Sequence, residues 1–310
     1  MQVNGKLQVA RKAQEKRRIS DGGIKMVERF KPDYTCGAET FLKKVIDTEC
    51  VEMAKETKKV RGSLYASDYG QCMRKIYHQF FPNEYAKAEF GPRLIRIFQN
   101  GDSVHERLSA YLHRNKSIQF IEEVDVPRDE LDVHGRCDGL CVVESQLVVT
   151  EFKSINRTSV YVAKEEHLGQ VTWYMGMWRM YREALRGRLG FGTDGSRAIT
   201  VQEIEGLGEQ FDELADFEKL MLLTQGEIKG EIIYESKQSQ EIFAFPVIWN
   251  EDRFKKVKLW FQQLDWHVKN KIIPKVNYDQ NKFPCRWAIG KKTEGQCDYF
   301  DTCYPNGSGM

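Results

Sequence analysis

Residues 134–155 read HGRCDGLCVVESQLVVTEFKSI, two Val-rich runs joined by a polar turn at 144–146. A third run of the same kind precedes them at 119–126. Short runs rich in Val and Ile that are separated by polar turns are typical of antiparallel strands. The stretch therefore predicts a meander of three strands over 119–126, 134–143 and 146–155.

Helical periodicity surrounds this meander. A long helix is predicted on each side of it, at 93–113 and 159–185, and a hairpin follows at 231–235 and 242–248. Further helices are predicted at 5–18, 38–58, 67–81 (with Ser67 or Asp68 as the N-cap), 211–224 and 253–269. A Gly-rich loop at 187–198 and an irregular, Cys-bearing tail after Pro274 complete the chain. This order predicts an α/β (α+β) fold in which a mixed central sheet is flanked by helices.

The composition excludes several classes of protein. The chain has 310 residues, of which 41% are hydrophobic and 30% charged, so it is globular rather than disordered. Its net charge of +2 excludes a polycationic binder, and any nucleic-acid surface must be a local patch. Neither an apolar run of membrane-spanning length nor a signal-peptide core is present in the sequence, so we expect a cytoplasmic protein that does not contact membranes.

The first 31 residues form the most basic part of the chain, with nine Lys or Arg against three acidic residues. A solvated helix or frayed tail explains this bias slightly better than an arm that contacts DNA. We expect a basic helical extension over residues 1–60 and one large domain over 61–310, with an insertion at about 187–230.

Asp138, Glu151 and Lys153 carry the strongest chemical signal. Alternate side chains point to the same face of a strand, so Glu151 and Lys153 share a face, and Asp138 lies on the neighbouring strand. Two carboxylates can hold Mg²⁺ or Mn²⁺, and a lysine beside them can orient water and stabilise developing charge. This is the chemistry of phosphodiester hydrolysis. Taken alone, the motif is explained more simply as a polar pair of surface strands.

Three residues on the flanking helices extend the pattern. His105 on the preceding helix can supply a nitrogen ligand, and Gln170 and Tyr174 share a face of the following helix. Each has a plain structural explanation on its own, as a partly exposed histidine or as part of an amphipathic stripe. Ordinary structural roles of this kind do not readily explain why the three residues occur in this order around Asp138 and Glu151.

In this order the residues resemble the PD-(D/E)xK nuclease superfamily, in particular its RecB-like branch. The matching motifs are Gly101…His105, Gly135…Asp138, Glu151…Lys153 and Gln170…Tyr174. The resemblance implies a restriction-endonuclease-like core. It also implies His105, Asp138, Glu151 and the backbone carbonyl of Phe152 as metal ligands. Lys153 would be the catalytic lysine, and Gln170 and Tyr174 would contact DNA or support the site.

Four of the eight cysteines, Cys72, Cys285, Cys297 and Cys303, resemble the thiolates of iron–sulfur nucleases in the same branch, including the CRISPR-associated exonucleases. The resemblance implies a [4Fe–4S] cluster that joins Cys72 to a C-terminal cap over 285–303. The number of residues between Cys285 and Cys297 is larger than the number between the corresponding cysteines of the family pattern. A zinc site with four cysteine ligands and four unligated thiols remain as alternatives. Plain burial explains the other four cysteines.

The expected function is a divalent-metal-dependent DNA nuclease, an exonuclease acting on single-stranded ends or flaps by resemblance. Its location would be a bacterial or phage-infected cell, with replication, recombination or CRISPR-adaptation proteins as partners. A catalytically silent DNA-binding subunit and a zinc-stabilised interaction module are the rival functions. The candidate DNA-contacting residues are Arg74, Lys75, Arg93, Arg96, Arg157 and Trp173, with Tyr77 as a second stacking candidate. An ordinary solvated surface explains these residues as well as a DNA-binding groove does.

Overall fold

A computed structural model describes residues 41–56, 61–82, 84, 92–192, 197–275, 285–289, 293–297 and 299–303. The helix predicted at 5–18 and the domain boundary predicted after residue 60 lie outside these residues. The chain divides into two compact units, residues 1–45 and 46–310. Of the helices within the described ranges, none combines the length and apolar character needed to cross a membrane.

Within the described residues, five strands form one mixed sheet in the order β2-β4-β5-β6-β7. Strands β5 and β6 pair in parallel and the other neighbours are antiparallel. Two very short strands, β1 and β3, pair in parallel beside it, and β8 and β9 form a separate hairpin. The strands are β1 (Leu64–Tyr65), β2 (Gln119–Asp125), β3 (Val133–His134), β4 (Arg136–Val143), β5 (Gln146–Ile155), β6 (Lys229–Ser236), β7 (Ile242–Val247), β8 (Arg286–Ile289) and β9 (Thr293–Gln296).

Helices flank this sheet and connect its strands. They are α1 (Phe41–Glu56), α2 (Met73–Phe80), α3 (Pro92–Arg114), α4 (Glu165–Arg188), α5 (Val201–Leu207), α6 (Glu209–Asp212), α7 (Asp216–Leu223), α8 (Glu251–Lys269) and α9 (Phe300–Cys303). Helix α3 leads into the meander of β2, β4 and β5, and α4 begins the crossover from β5 to the parallel strand β6. The predicted mixed central sheet flanked by helices is confirmed.

The two long helices pack against opposite faces of β5. On one face, Val104 and Leu108 of α3 pack against Phe152, which is fully buried. On the other face, α4 is buried continuously from Gly169 to Trp178 and forms the middle of the main core. Because successive strand residues point to opposite faces, Glu151 and Lys153 point towards α4 while Phe152 points towards α3.

Several predicted boundaries are corrected. The helix predicted from Ser67 begins at Met73 with Cys72 as its N-cap, because residues 66–68 form a separate 3₁₀ turn. The single helix predicted at 211–224 is replaced by the end of α6 and by α7, which contribute with α5 to a small separate apolar cluster. The tail predicted to be irregular contains the β8–β9 hairpin and α9.

Candidate functional site

Asp138 lies on β4 at a break in strand pairing. The β2–β4 register passes from Glu122 opposite Gly139 to Val124 opposite Cys137, and Glu123 between them has a φ of 51°. A non-glycine residue rarely adopts this left-handed conformation, and such strain often accompanies functional sites. The break lies directly beside the Asp138 carboxylate.

Two groups hold the Asp138 carboxylate in place. Its Oδ1 atom lies 3.1 Å from Nδ1 of His105 on α3, and its Oδ2 atom accepts the backbone N–H of Phe152 at 2.5 Å. The His105 and Phe152 rings are nearly perpendicular, with 5.9 Å between their centroids. The packing of Val104, the residue before His105, onto Phe152 therefore brings the imidazole to Asp138.

Glu151 lies at the centre of the site and is buried. Its Oε1 atom accepts hydrogen bonds from Lys153 Nζ at 2.5 Å and from Gln170 Nε2 at 2.7 Å. The same Gln170 nitrogen donates to the Tyr174 hydroxyl at 2.8 Å, and that hydroxyl donates to the backbone carbonyl of Arg136 at 3.3 Å. The motif residues of both helices and both strands thus converge on a single site.

The protonation of this site is set by burial and by mutual charge. Burial raises the pKa of Glu151 to about 7, and the Lys153 ammonium opposes that rise. Burial works against the charged form of Lys153, but the charge of Glu151 and the hydrogen bond to it outweigh burial and raise the pKa of Lys153. Likewise, burial disfavours the His105 imidazolium, yet the hydrogen bond to Asp138 leaves the pKa of His105 raised. The protonation of each of these groups therefore depends on the charge of its neighbours.

The side chains match a hard divalent cation in their chemistry but not in their present arrangement. As they stand, no three His, Cys, Asp or Glu donors in the described part of the chain are arranged to hold an ion. The carboxylate oxygens instead contact Lys153, Gln170, His105 and the Phe152 amide. However, Glu151 Oε2 is buried and has no hydrogen-bond partner among the described residues. A buried oxygen in this state, with a second carboxylate and an imidazole nearby, matches the ligand chemistry of Mg²⁺ or Mn²⁺.

The site opens into a cleft of about 770 Å³. Four residues of the site, His105, Asp138, Gln170 and Tyr174, line this cleft. The remaining lining residues are mostly charged or aromatic: Tyr65, Asp102, Glu106, Glu122, Glu123, Asp125, Arg128, His134 and Arg136. Carboxylates outnumber guanidinium groups along the cleft, so it is not a basic groove.

Apart from Gln170 and Tyr174, no residue predicted to contact DNA and described by the structure lines this cleft. Trp173 is fully buried and stacks on Phe254 with 5.7 Å between the ring centroids, so its predicted stacking role is corrected to one in the core. Tyr77 is also buried. Arg96 pairs with Asp47 at 2.5 Å.

The other candidate DNA-contacting residues lie elsewhere. Arg157 is exposed after β5, and Lys75 is partly exposed on α2. Arg74 lines a second cleft of about 470 Å³ together with Cys72, and the side chain of Arg93 lies outside the described residues.

A histidine–tyrosine pair beside the site escaped the sequence analysis. Tyr234 is the register partner of Lys153 on the parallel strand β6, and its hydroxyl lies 2.7 Å from His167 Nδ1. The hydroxyl also accepts the Lys164 backbone N–H at 3.1 Å. Burial, assisted by Lys153 and Lys164, lowers the pKa of His167 to about 3, so its imidazole is neutral. The position of His167 three residues before Gln170, on the same helix face, was the available signal.

Three of the cysteines predicted to act as ligands lie within electrostatic range of the fourth, Cys303, although no three of these thiols in the described part of the chain are arranged to hold an ion. The Cys297 backbone N–H donates to the Cys285 carbonyl at 2.9 Å, and Cys303 Sγ lies 4.0 Å from His78 Nε2. Burial raises the pKa of Cys303 to about 11; the guanidinium of Arg74 lowers it, and the thiols of Cys72, Cys297 and Cys285 raise it further. Cys72, at the start of α2, thus lies within electrostatic range of the C-terminal segment. Sulfur donors in this number suit a soft metal.

Comparisons with known proteins place this chain in no named family. No protein-family model matches it. No curated protein matches it either. Similar solved structures include that of SSO0001, at 13% identity and a TM-score of 0.44, covering 78% of this chain and 91% of that one. They also include an alkaline exonuclease, LHK-Exo from Laribacter hongkongensis, at 9% identity and a TM-score of 0.35, covering 73% of this chain and 94% of that one. Likenesses this weak carry no argument about what this chain does.

Proposed function

We propose that this chain is a divalent-metal-dependent deoxyribonuclease that hydrolyses phosphodiester bonds, with free single-stranded ends or flaps as its substrates. The observation that supports the proposal is the convergence of His105, Asp138, Glu151 and Lys153, with the buried Glu151 Oε2 atom left without a described partner. Carboxylate pairs beside a lysine suit the transfer of a phosphoryl group to water.

The metal ligands in this proposal are His105, Asp138, Glu151 and the backbone carbonyl of Phe152. A bound Mg²⁺ or Mn²⁺ would polarise a phosphoryl oxygen and lower the pKa of water. Lys153 is held against Glu151 at 2.5 Å, and its raised pKa keeps its Nζ protonated. In that state the ammonium stabilises negative charge that develops on the phosphate.

Gln170 and Tyr174 act as positioning residues in this proposal. The Gln170 amide donates to Glu151 Oε1, which fixes the rotamer of the carboxylate. The Tyr174 hydroxyl accepts from the same amide and is tied to the Arg136 carbonyl. A site held in this way undergoes little reorganisation when substrate binds, which favours catalysis.

We also propose that Cys72, Cys285, Cys297 and Cys303 hold a [4Fe–4S] cluster, with zinc as the alternative metal. The electrostatic influence of Cys72, Cys285 and Cys297 on Cys303 and the backbone hydrogen bond between Cys297 and Cys285 support a soft-metal site. Such a cluster would link α2 to the C-terminal segment across most of the chain, so its main effect would be on stability.

Cleavage of end-blocked DNA tests the catalytic proposal. Labelled single- and double-stranded DNA, each blocked at one end, is incubated with purified protein with and without Mn²⁺ or Mg²⁺. We expect metal-dependent cleavage of the single strand, and a loss of about 100-fold or more in Lys153→Ala with folding and DNA binding retained. Lys255→Ala is the matched control, because Lys255 is an exposed residue of α8.

Two outcomes would contradict the catalytic proposal. Cleavage that survives in Lys153→Ala would show that the catalytic assignment is wrong. If clean wild-type protein binds DNA but cleaves none with either metal, the chain is a DNA-binding subunit without activity.

A further inference from the structure

We propose that Tyr65 and His134 form a subsite in the cleft where a base of single-stranded nucleic acid stacks, next to the position of the scissile phosphate. The inference deepens the proposed function and rests on it, because it identifies how the same cleft recognises its substrate. It assigns a role to residues that are distinct from the catalytic group.

The subsite is built by the short parallel strands β1 and β3. Tyr65 and His134 are register partners in this pair, and their ring centroids are 5.9 Å apart. Both residues line the cleft, and 44% of Tyr65 is exposed. His134 lies four residues before Asp138 on the same segment of chain, so the aromatic pair and the catalytic carboxylate border one cavity.

Contacts within the protein support the Tyr65 ring. The Arg61 guanidinium lies over the ring, 5.0 Å from its centroid. Arg61 is fixed in turn by an ion pair with the buried Asp68 and by a hydrogen bond to Gln79 Oε1 at 2.5 Å. Asp68 also accepts the Tyr65 backbone N–H at 2.8 Å. A preorganised aromatic ring that remains partly exposed loses little conformational entropy when a planar ligand stacks on it.

The charge of the cleft does not suit binding of a duplex. Duplex binding depends mainly on neutralising closely spaced phosphates with Lys and Arg. This cleft offers the guanidinium groups of Arg128 and Arg136 against a larger number of carboxylates. Stacking on an aromatic side chain provides affinity without that charge and is available only to unpaired bases. The volume of about 770 Å³ is on the scale of a few nucleotides rather than a double helix.

Arg128 orients the second ring of the subsite. Its Nη1 atom donates to His134 Nε2 at 2.8 Å and to Asp132 Oδ1 at 2.9 Å. Roughly half of the Arg128 side chain is exposed, so its guanidinium remains open to a phosphate beside the stacked base. The subsite therefore combines a stacking surface with a cation at its edge.

Binding of short oligonucleotides tests this subsite. The probes are a fluorescent 12-mer of oligothymidylate, a 12-mer in which abasic sites replace every base, and a blunt hairpin duplex whose loop is abasic. All variants carry Lys153→Ala, so that no probe is cleaved. We expect Tyr65→Ala to raise the Kd for oligothymidylate about tenfold, while Tyr65→Phe stays within about twofold because it keeps the ring.

Two comparisons separate stacking from a general loss of structure. The parent protein should prefer oligothymidylate over the abasic 12-mer, and Tyr65→Ala should abolish that preference while leaving hairpin binding unchanged. Tyr161→Ala is the matched control, because Tyr161 is 87% exposed and lies outside the cleft lining; it should bind like the parent. Melting temperatures of all variants show whether each is folded.

The outcomes also distinguish this inference from the proposed function. If the wild-type protein cleaves DNA in a Lys153-dependent manner but Tyr65→Ala binds oligothymidylate normally, the nuclease proposal stands and the subsite is wrong. An equal loss of affinity for the abasic probe would overturn base stacking. If no probe is bound and no DNA is cleaved, both proposals fail.

Discussion

The Gln170 side-chain amide joins Glu151 to Tyr174, with Nε2 lying 2.7 Å from Glu151 Oε1 and 2.8 Å from the Tyr174 hydroxyl. All three side chains are buried. A single nitrogen thus couples the carboxylate on β5 to the helix that packs over it. Small displacements of a group in this position affect reaction geometry more than they affect folding.

Replacing this amide should lower activity far more than stability. We expect Gln170→Leu to lose about 10- to 100-fold in cleavage rate, because the Glu151 carboxylate is no longer oriented from α4. The loss of stability should be only about 1–2 kcal/mol, measured by urea denaturation. Gln202→Leu on the exposed side of α5 is the control and should change neither quantity. Full activity in Gln170→Leu would show that Glu151 is oriented without it.

The stability of the metal-free protein should depend on pH through Glu151. Burial raises the pKa of Glu151 from 4.5 to about 7, so the folded chain holds this proton more tightly than the unfolded chain does. The resulting stabilisation is complete below about pH 4.5 and is lost as the pH rises through 7. The glutamine of Glu151→Gln cannot ionise. The free energy of unfolding of this variant, relative to that of the wild type, should therefore rise by on the order of 2–3 kcal/mol between pH 5 and 8.

Urea denaturation in EDTA at several pH values measures this difference. Glu251→Gln, an exposed position on α8, should give a curve parallel to that of the wild type. Parallel curves for Glu151→Gln as well would mean that the Glu151 carboxylate titrates as if it were in water.

Removal of one cysteine should destabilise the whole protein rather than remove activity selectively. In the proposed cluster, Cys297 is one of four thiolates, and metal binding contributes directly to the free energy of folding. We expect Cys297→Ser to lose its iron, its brown colour and several kcal/mol of stability. Cys50→Ser in α1 should keep the metal content of the wild type. Stoichiometric zinc in the wild-type protein would show that the site binds zinc and not an iron–sulfur cluster. A stable, metal-free and active Cys297→Ser variant would refute both the cluster and the zinc site.

Two glycines give a matched pair of packing tests. A Cβ atom added at Gly176 on α4 would lie 2.2 Å from Cε2 of Phe254, whereas at Gly206 on α5 nothing lies within 4 Å. Gly176→Ala should therefore destabilise the protein by about 1–3 kcal/mol. Gly206→Ala should stabilise it by up to about 1 kcal/mol, since alanine is the better helix former. Calorimetry measures both, and equal effects would contradict the packing of α4 against α8.

The sequence predicts the centre of the fold well because local signals are strong there. Strand β5 has the predicted bounds, and α3 differs from its prediction by one residue at each end. The convergence of His105, Asp138, Glu151 and Lys153 follows from strand alternation and from the order of the elements. These features follow from short-range patterns of apolar residues, which can be recognised in the sequence alone.

What the sequence did not predict depends on long-range packing. Trp173 is of a residue type that often stacks on bases. Its burial depends on packing against Phe254 and Phe261 of α8, which are distant in the sequence. Tyr65 and His134 meet through a pairing of two-residue strands that has no periodic signal. The left-handed backbone at Glu123 is likewise imposed by its neighbours, since glutamate itself does not favour it.

The position of β5, paired with β4 on one edge and β6 on the other, determines how the site is lost on heating. Amide hydrogens in a doubly paired, buried strand exchange with solvent only when the surrounding domain opens cooperatively. The amides of Glu151 and Lys153 should therefore be among the slowest to take up deuterium. Inactivation should then coincide with global melting instead of preceding it.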